Sequence, residues 1–167
     1  MTGAVVVLAL VTAQRLGELV LARRNTRRLL ARGGVESGAG HYPLIVGLHA
    51  AWLLGLWGLA WDRPIQPAWL AVYLALQVLR AWILLTLGSR WTTRIITVPG
   101  ETLVRRGPYR FLSHPNYLVV VGEIAALPLV FGLWAFAFLF SALNALVLAV
   151  RLRAETQALR RVQPSAD

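Results

Sequence analysis

Cysteine and lysine are absent from the 167-residue sequence, and methionine occurs once. Without thiols the chain cannot build a disulfide scaffold, a cysteine-ligated zinc site, an iron–sulfur cluster or a cysteine nucleophile. Three histidines and seven acidic residues are too few to predict a dedicated metal site. What the sequence has in excess is apolar surface: 57% of its residues are hydrophobic and only 14% are charged, with a mean hydropathy of +0.61. That content excludes a disordered chain. It also exceeds the roughly 45–50% apolar share of ordinary soluble domains. The length allows one domain, and the composition is that of an integral membrane protein.

All 17 basic residues are arginine, and the net charge is +10. Nucleic acid is not a predicted partner, because the arginines flank apolar runs and no nucleic-acid motif accompanies them. Five apolar runs, at residues 3–22, 44–60, 68–87, 117–131 and 133–150, approach the ~20 residues of a spanning helix. The fourth and fifth are split only by Gly132 and predict a tight helical hairpin, with Pro128 kinking the fourth. Arginines 23, 24, 27, 28 and 32 follow the first run, 90, 94, 105, 106 and 110 follow the third, and 151, 153, 160 and 161 follow the fifth. The positive-inside rule then places the N-terminus outside and the C-terminus in the cytoplasm. No basic residue precedes the first run, so a cleaved signal peptide is not expected. The prediction is an all-α polytopic membrane protein of about five transmembrane helices. Its longest connection, residues 90–116, carries Pro99-Gly100, Gly107-Pro108 and Pro115, and a loop of that length in so small a protein is the place to look for chemistry.

Polar residues inside apolar spans are costly and draw attention as functional candidates. Arg15 and Glu18, three apart in the first span, predict a packing ion pair. Gln77 and Arg80 repeat that spacing in the third, where Arg80 can meet Glu18 or Glu123. His49, amid the second span, reads as a hydrogen-bonded structural histidine. Asn144, Arg151 and Glu155, at spacings of 7 and 4, form one stripe with Arg153 to its side. That stripe predicts a polar-lined cleft opening inward.

The stretch Gly107-Pro108-Tyr109-Arg110-Phe111-Leu112-Ser113-His114-Pro115-Asn116-Tyr117 resembles the G-P-Y-R-x-x-R-H-P-x-Y signature of the isoprenylcysteine carboxyl methyltransferase family. The family's second signature, R-I-R-x-E-E-x-x-L past the last span, is similar to Arg151-Leu152-Arg153-Ala154-Glu155-Thr156-Gln157-Ala158-Leu159. The order His41-Tyr42-Pro43, Arg90-Trp91-Thr92 and then the signature also resembles a short bacterial branch linked to methylation of long-chain polyketide lipids. Three positions depart from the pattern. Ser113 replaces an arginine expected near the acceptor or cofactor, Val119 replaces a glycine, and Thr156 replaces the second glutamate, with the F-G-x-x-Y tail missing.

The resemblance implies S-adenosyl-L-methionine as cofactor, a lipophilic or lipidated methyl acceptor, and a bacterial plasma-membrane location with the active site facing the cytoplasm. It carries cofactor binding to Tyr109, Arg110, His114, Pro115, Tyr117, Arg153 and Glu155, and catalysis to Arg151 and His114; Asn144, deeper on the polar stripe, is a further catalytic candidate, expected to act on acceptor turnover. The chemistry of these residue types agrees. Tyr109, Tyr117 and Trp91 offer aromatic faces to a sulfonium, and Arg106, Arg110 or Arg153 can fork onto a carboxylate. Glu155 can accept from an ammonium or ribose hydroxyls, and His114 can bond polar edges. A carboxylate acceptor needs only positioning, by Arg151 or Arg153. A phenolic or enolic hydroxyl needs a base, with His114, His49 or Glu123 available. No G-x-G-x-x-G indicates a Rossmann-type site. Two other readings stay open: an NADPH-dependent membrane sterol or steroid reductase, which shares an H-P-N-Y element, and a non-catalytic membrane interaction protein.

Overall fold

The computed structural model describes the backbone of residues 2–162 and the side chains of residues 3–158. The side chains of Leu159, Arg160 and Arg161, used above for the second signature and for orientation, lie outside the described residues. Five helices carry the fold: α1 (Thr2–Ala31), α2 (Tyr42–Ala60), α3 (Pro67–Leu87), α4 (Pro115–Val130) and α5 (Trp134–Val162). Four of them, α1, α2, α3 and α5, are long and apolar enough to cross a membrane. Their outward faces carry large apolar side chains such as Leu10, Leu54, Val78, Leu85, Phe138 and Leu146, the surface that a bilayer would cover.

The fourth apolar run behaves differently from the other four. It folds as α4, 16 residues long, or about 24 Å at 1.5 Å per residue, against the ~30 Å of a hydrocarbon core. Much of its hydrophobicity is explained by burial within protein: Val119, Ile124, Leu127 and Val130 are enclosed between α3 and α5, while Leu118 and Val121 of its first half stay exposed. Pro128 lies in its last turn. There the Pro128 carbonyl accepts from the amides of both Phe131 and Leu133, each at 3.0 Å. Gly132 takes φ +68° and turns the chain into α5, which forms the expected hairpin.

Two three-residue strands amend the all-α expectation. β1 (Val35–Ser37) pairs antiparallel with β2 (Ile95–Thr97), Glu36 opposite Ile96. Strands this short are below the length at which alternation can be read from sequence. β1 is delivered by a sharp stop to α1: Gly33 adopts φ +83°, its amide bonds the Leu30 carbonyl at 3.0 Å, and the Gly34 amide bonds that of Leu29 at 2.9 Å. This is the Schellman pattern, and it requires a residue that tolerates the left-handed conformation. The ribbon joins the α1–α2 connection to the long α3–α4 connection at the arginine-rich end of the bundle.

Deeper in the bundle, four charges cancel in a closed network. Arg15 pairs with Glu18 at 3.1 Å and with Glu123 at 2.8 Å, and Arg80 pairs with Glu18 at 3.0 Å and with Glu123. Gln14 bridges Glu18 at 2.9 Å and Gln77 at 2.7 Å, and Gln77 donates to Glu123 at 2.7 Å. The expected Arg15–Glu18 pair is present, and Arg80 meets both carboxylates. Glu123 accepts from two arginines and a glutamine, so its lone pairs are committed and it is not placed to act as a base. His49 bonds the carbonyl of Ile45 in its own helix at 2.9 Å, the structural arrangement the sequence suggested.

Candidate functional site

The long connection builds its site on glycine and proline. Gly107 sits at φ +57°, so close to α3 that an added Cβ would meet Thr86 Oγ1 at 2.4 Å. Buried Pro108 follows at the second position of a short 3-10 turn, Gly107–Arg110. That turn directs Tyr109 against the small cluster of Ala22, Ile83, Trp91 and Val119. Burial pushes the Tyr109 phenol up to about 12, with the nearby Glu155 carboxylate adding to the effect, so its hydroxyl stays protonated at neutral pH. Four residues past the turn, His114 stands at the N-cap of α4 and Pro115 opens the helix, where a proline is tolerated because no intrahelical donor is lost.

The two sequence signatures converge through Tyr117. Its hydroxyl donates to the Glu155 carboxylate and accepts from Arg151 Nε at 2.9 Å. A second Arg151 nitrogen donates to the Thr93 carbonyl at 2.8 Å, and its guanidinium lies 5.6 Å from the centre of the Tyr117 ring. His114 stacks on the same ring at 5.3 Å with 19° between planes. Arg151 and Glu155 are four residues apart on α5 and share a face.

These groups line a cavity of about 790 Å³, within the size range of small-molecule sites. Tyr109, Arg110, His114, Tyr117, Arg151 and Glu155 all reach its wall, together with Trp91 and Ser113. Pro115 is buried behind the wall and fixes the start of α4. Two expected residues do not line the cavity. Arg153 is exposed, because two residues rotate it about 200° around α5 from Arg151. Asn144 is buried seven residues further along α5, about 10 Å deeper. Arg106, one of the carboxylate-binding candidates, faces a separate concavity. Five arginines against two glutamates make the cavity wall electropositive.

Several residues that shape the site were not anticipated. Tyr42, at the start of α2, bonds the Thr93 hydroxyl at 3.0 Å and carries the Arg94 guanidinium 4.5 Å above its ring. Arg94 also pairs with Glu36 of β1 at 2.8 Å. Asn25 is buried on the α1 extension and donates to the carbonyls of Gly88 at 3.1 Å and Trp91 at 2.8 Å. Among the described residues, the buried indole N–H of Trp91 has no partner. The spacing of Ala22, Asn25 and Leu29, a buried stripe between exposed arginines, was the signal that could have exposed the role of Asn25.

The sequence profile of the isoprenylcysteine carboxyl methyltransferase family matches residues 69–161, which include α3, both signatures and the cavity's central residues. An uncharacterized protein of Bacillus subtilis, YpbQ, is 40% identical over 158 residues, covering 92% of this chain and 94% of its own. An uncharacterized protein of Haemophilus influenzae is 23% identical over 165 residues, 95% of each chain. No solved structure matches. With more than half of its length matched, including the residues that converge on the cavity, the chain belongs to the isoprenylcysteine carboxyl methyltransferase family, a family of membrane methyltransferases.

Proposed function

We propose that this protein transfers a methyl group from S-adenosylmethionine to an oxygen of a lipophilic acceptor, at the cytoplasmic edge of a bacterial plasma membrane. The observation that carries this reading is the junction of Arg151, Tyr117 and Glu155 in one cavity wall, since it unites two distant sequence signatures in a space of cofactor size. The arginine-rich end of the bundle supports the cytoplasmic orientation.

The lining suits the cofactor's chemistry. When bound, S-adenosylmethionine supplies an electrophilic methyl group on a sulfonium. Tyr109, Trp91 and Tyr117 present aromatic faces in the wall, suited to a cation, while Arg110 offers a fork for a carboxylate. Glu155 is an acceptor for ammonium or ribose hydroxyls. Arg151 is engaged by Tyr117 and Thr93; its role is to hold the phenol and leave a remaining guanidinium face for an anionic acceptor. His114, on the cavity wall, is the base for a phenolic or enolic hydroxyl, and a carboxylate acceptor needs only alignment. Asn144, deeper on α5, lies towards the side from which a lipid tail enters between helices.

Calorimetric titration of the detergent-purified protein tests the reading. Binding of S-adenosylhomocysteine and not of NADPH supports it. Binding of NADPH alone would favour a reductase, and binding of neither a non-catalytic interaction protein. Supplying membranes with a radiolabelled methyl donor then identifies the acceptor by its label.

A further inference from the structure

A second concavity, of about 450 Å³, lies behind the wall of the first. The two share residues 102–105, an irregular strap running from Gly100 at φ +78° to Gly107 at φ +57°. On its far side the strap faces the end of α3. The polar lining consists of Arg90, Arg105 and Arg106 with the hydroxyls of Thr86, Ser89 and Thr102, and no acidic side chain is among its lining residues. Glu101, beside the lining, pairs with Arg32 and with Arg90 Nε at 3.1 Å, which leaves Arg105 and Arg106 as the lining arginines without a carboxylate partner among the described residues. Arg106 makes one long contact, 3.5 Å to the Thr86 carbonyl.

Arg105 and Arg106, without a carboxylate partner among the described residues, stand beside three hydroxyl donors, the chemistry of a tetrahedral oxyanion, while Arg90 is held by Glu101 and by the Thr102 carbonyl at 2.9 Å. Arginine forks match phosphate oxygens, and hydroxyls complete the donor set. The position is equally specific. The apolar part of α3 ends at Leu87 and the concavity begins at Leu85, so it sits at the depth where a bilayer's phosphates lie when α3 spans it. The charges of the α1 extension, Arg23, Arg24, Arg27 and Arg28, are exposed, as are Arg105 and Arg106, but those on α1 line neither concavity. They are the expected positive-inside charge and serve here as the comparison.

We propose that the concavity between the end of α3 and the strap 102–106 is a binding site for a phosphate-class oxyanion, brought by the headgroup of an anionic membrane lipid or by free phosphate. It adjoins the first cavity, sharing Leu87, Arg90 and residues 102–105 with it, and its test does not depend on methyl transfer. Native mass spectrometry of the full-length protein, with phosphatidylglycerol or phosphatidylcholine added in equal amounts, reads lipid binding directly. Inorganic phosphate, titrated while the melting temperature is followed, reads the free ion.

Phosphatidylglycerol is expected to outcompete phosphatidylcholine. R105Q/R106Q is expected to weaken its binding about 25-fold, at roughly fivefold per arginine near an anionic headgroup. R23Q/R24Q changes it far less. If the double variant does not fold, Arg106→Gln alone gives about a fivefold loss. Enrichment of phosphatidylglycerol that depends on these arginines identifies the headgroup. Stabilisation by inorganic phosphate that depends on them, without lipid enrichment, identifies the free ion. Equal binding by wild type and R105Q/R106Q overturns the site, as does loss of preference in R23Q/R24Q alone. Absence of both lipid preference and phosphate stabilisation in the wild type overturns it as well.

Discussion

Tyr117 and Glu155 are hydrogen-bonded across the seam between α4 and α5, 38 residues apart in sequence. The bond involves a charged acceptor in a partly buried place, where such bonds contribute about 1.5–3 kcal/mol. Tyr117→Phe keeps the ring, and with it the stack on His114, but removes the link to both Glu155 and Arg151. Affinity for S-adenosylhomocysteine is expected to fall by about ten- to a hundredfold in calorimetry, with the protein still folded. An unchanged affinity would separate this junction from cofactor binding.

Asn25 tests whether the N-terminal helix serves the site. Its side chain holds the carbonyls of Gly88 and Trp91, and Asn25→Ala leaves buried acceptors unpaired at a cost of about 1–3 kcal/mol. A lowered melting temperature in detergent is the expected result. Because Trp91 lines the cavity, weaker S-adenosylhomocysteine binding at temperatures where the variant remains folded should accompany it. Loss of stability alone would restrict Asn25 to packing.

Glu123 anchors the intramembrane network, and removing it strands two arginines. Glu123→Ala is expected to destabilise the protein by about 3–5 kcal/mol, the usual effect of breaking a buried ion pair from one side. Thermal unfolding in micelles measures it. The Arg15→Met/Arg80→Met/Glu18→Gln/Glu123→Gln combination removes all four charges together and should recover most of that loss.

The Tyr109 phenol gives a prediction in pH. Its folded value, raised to about 12 by burial and by Glu155, lies above the ~10 of an unfolded tyrosine. The stabilising contribution is therefore complete below pH ~10 and is lost as pH rises from 10 towards 12. Phenolate absorbance should show a late component, to which Tyr117 also contributes because burial raises it, and Tyr109→Phe should reduce that component by one tyrosine's share while lessening the alkaline loss of stability. A Tyr109 that titrated near 10 would place it in solvent.

The sequence made the apolar helices readable because their runs are long, and the Arg15–Glu18 pair readable because residues three apart share a helix face. Tyr109, His114, Tyr117, Arg151 and Glu155 were legible through their motifs. The remaining parts lacked such signals. β1 and β2 are three residues each, and their pairing is decided by contact between segments some 60 residues apart. Thr93 holds Arg151 through a carbonyl, which every residue possesses, so no side-chain identity advertises it. Asn144 and Arg153 lie on α5 with Arg151, yet helical rise and rotation carry them off the cavity wall. The shortness of α4 was visible; that its second half is enclosed by protein became clear only from packing.

The neutral network also bears on how the chain is made. Arg15 and Glu18 leave the ribosome together on α1, already offsetting one another, whereas Arg80 emerges on α3 some forty residues before its nearer counterpart on α4. Between those moments the only carboxylate among its final partners that has already been synthesised is Glu18. Biogenesis must therefore keep the first helix beside the insertion machinery until the third arrives, and a nascent chain whose first helix diffused away would leave a guanidinium stranded in hydrocarbon.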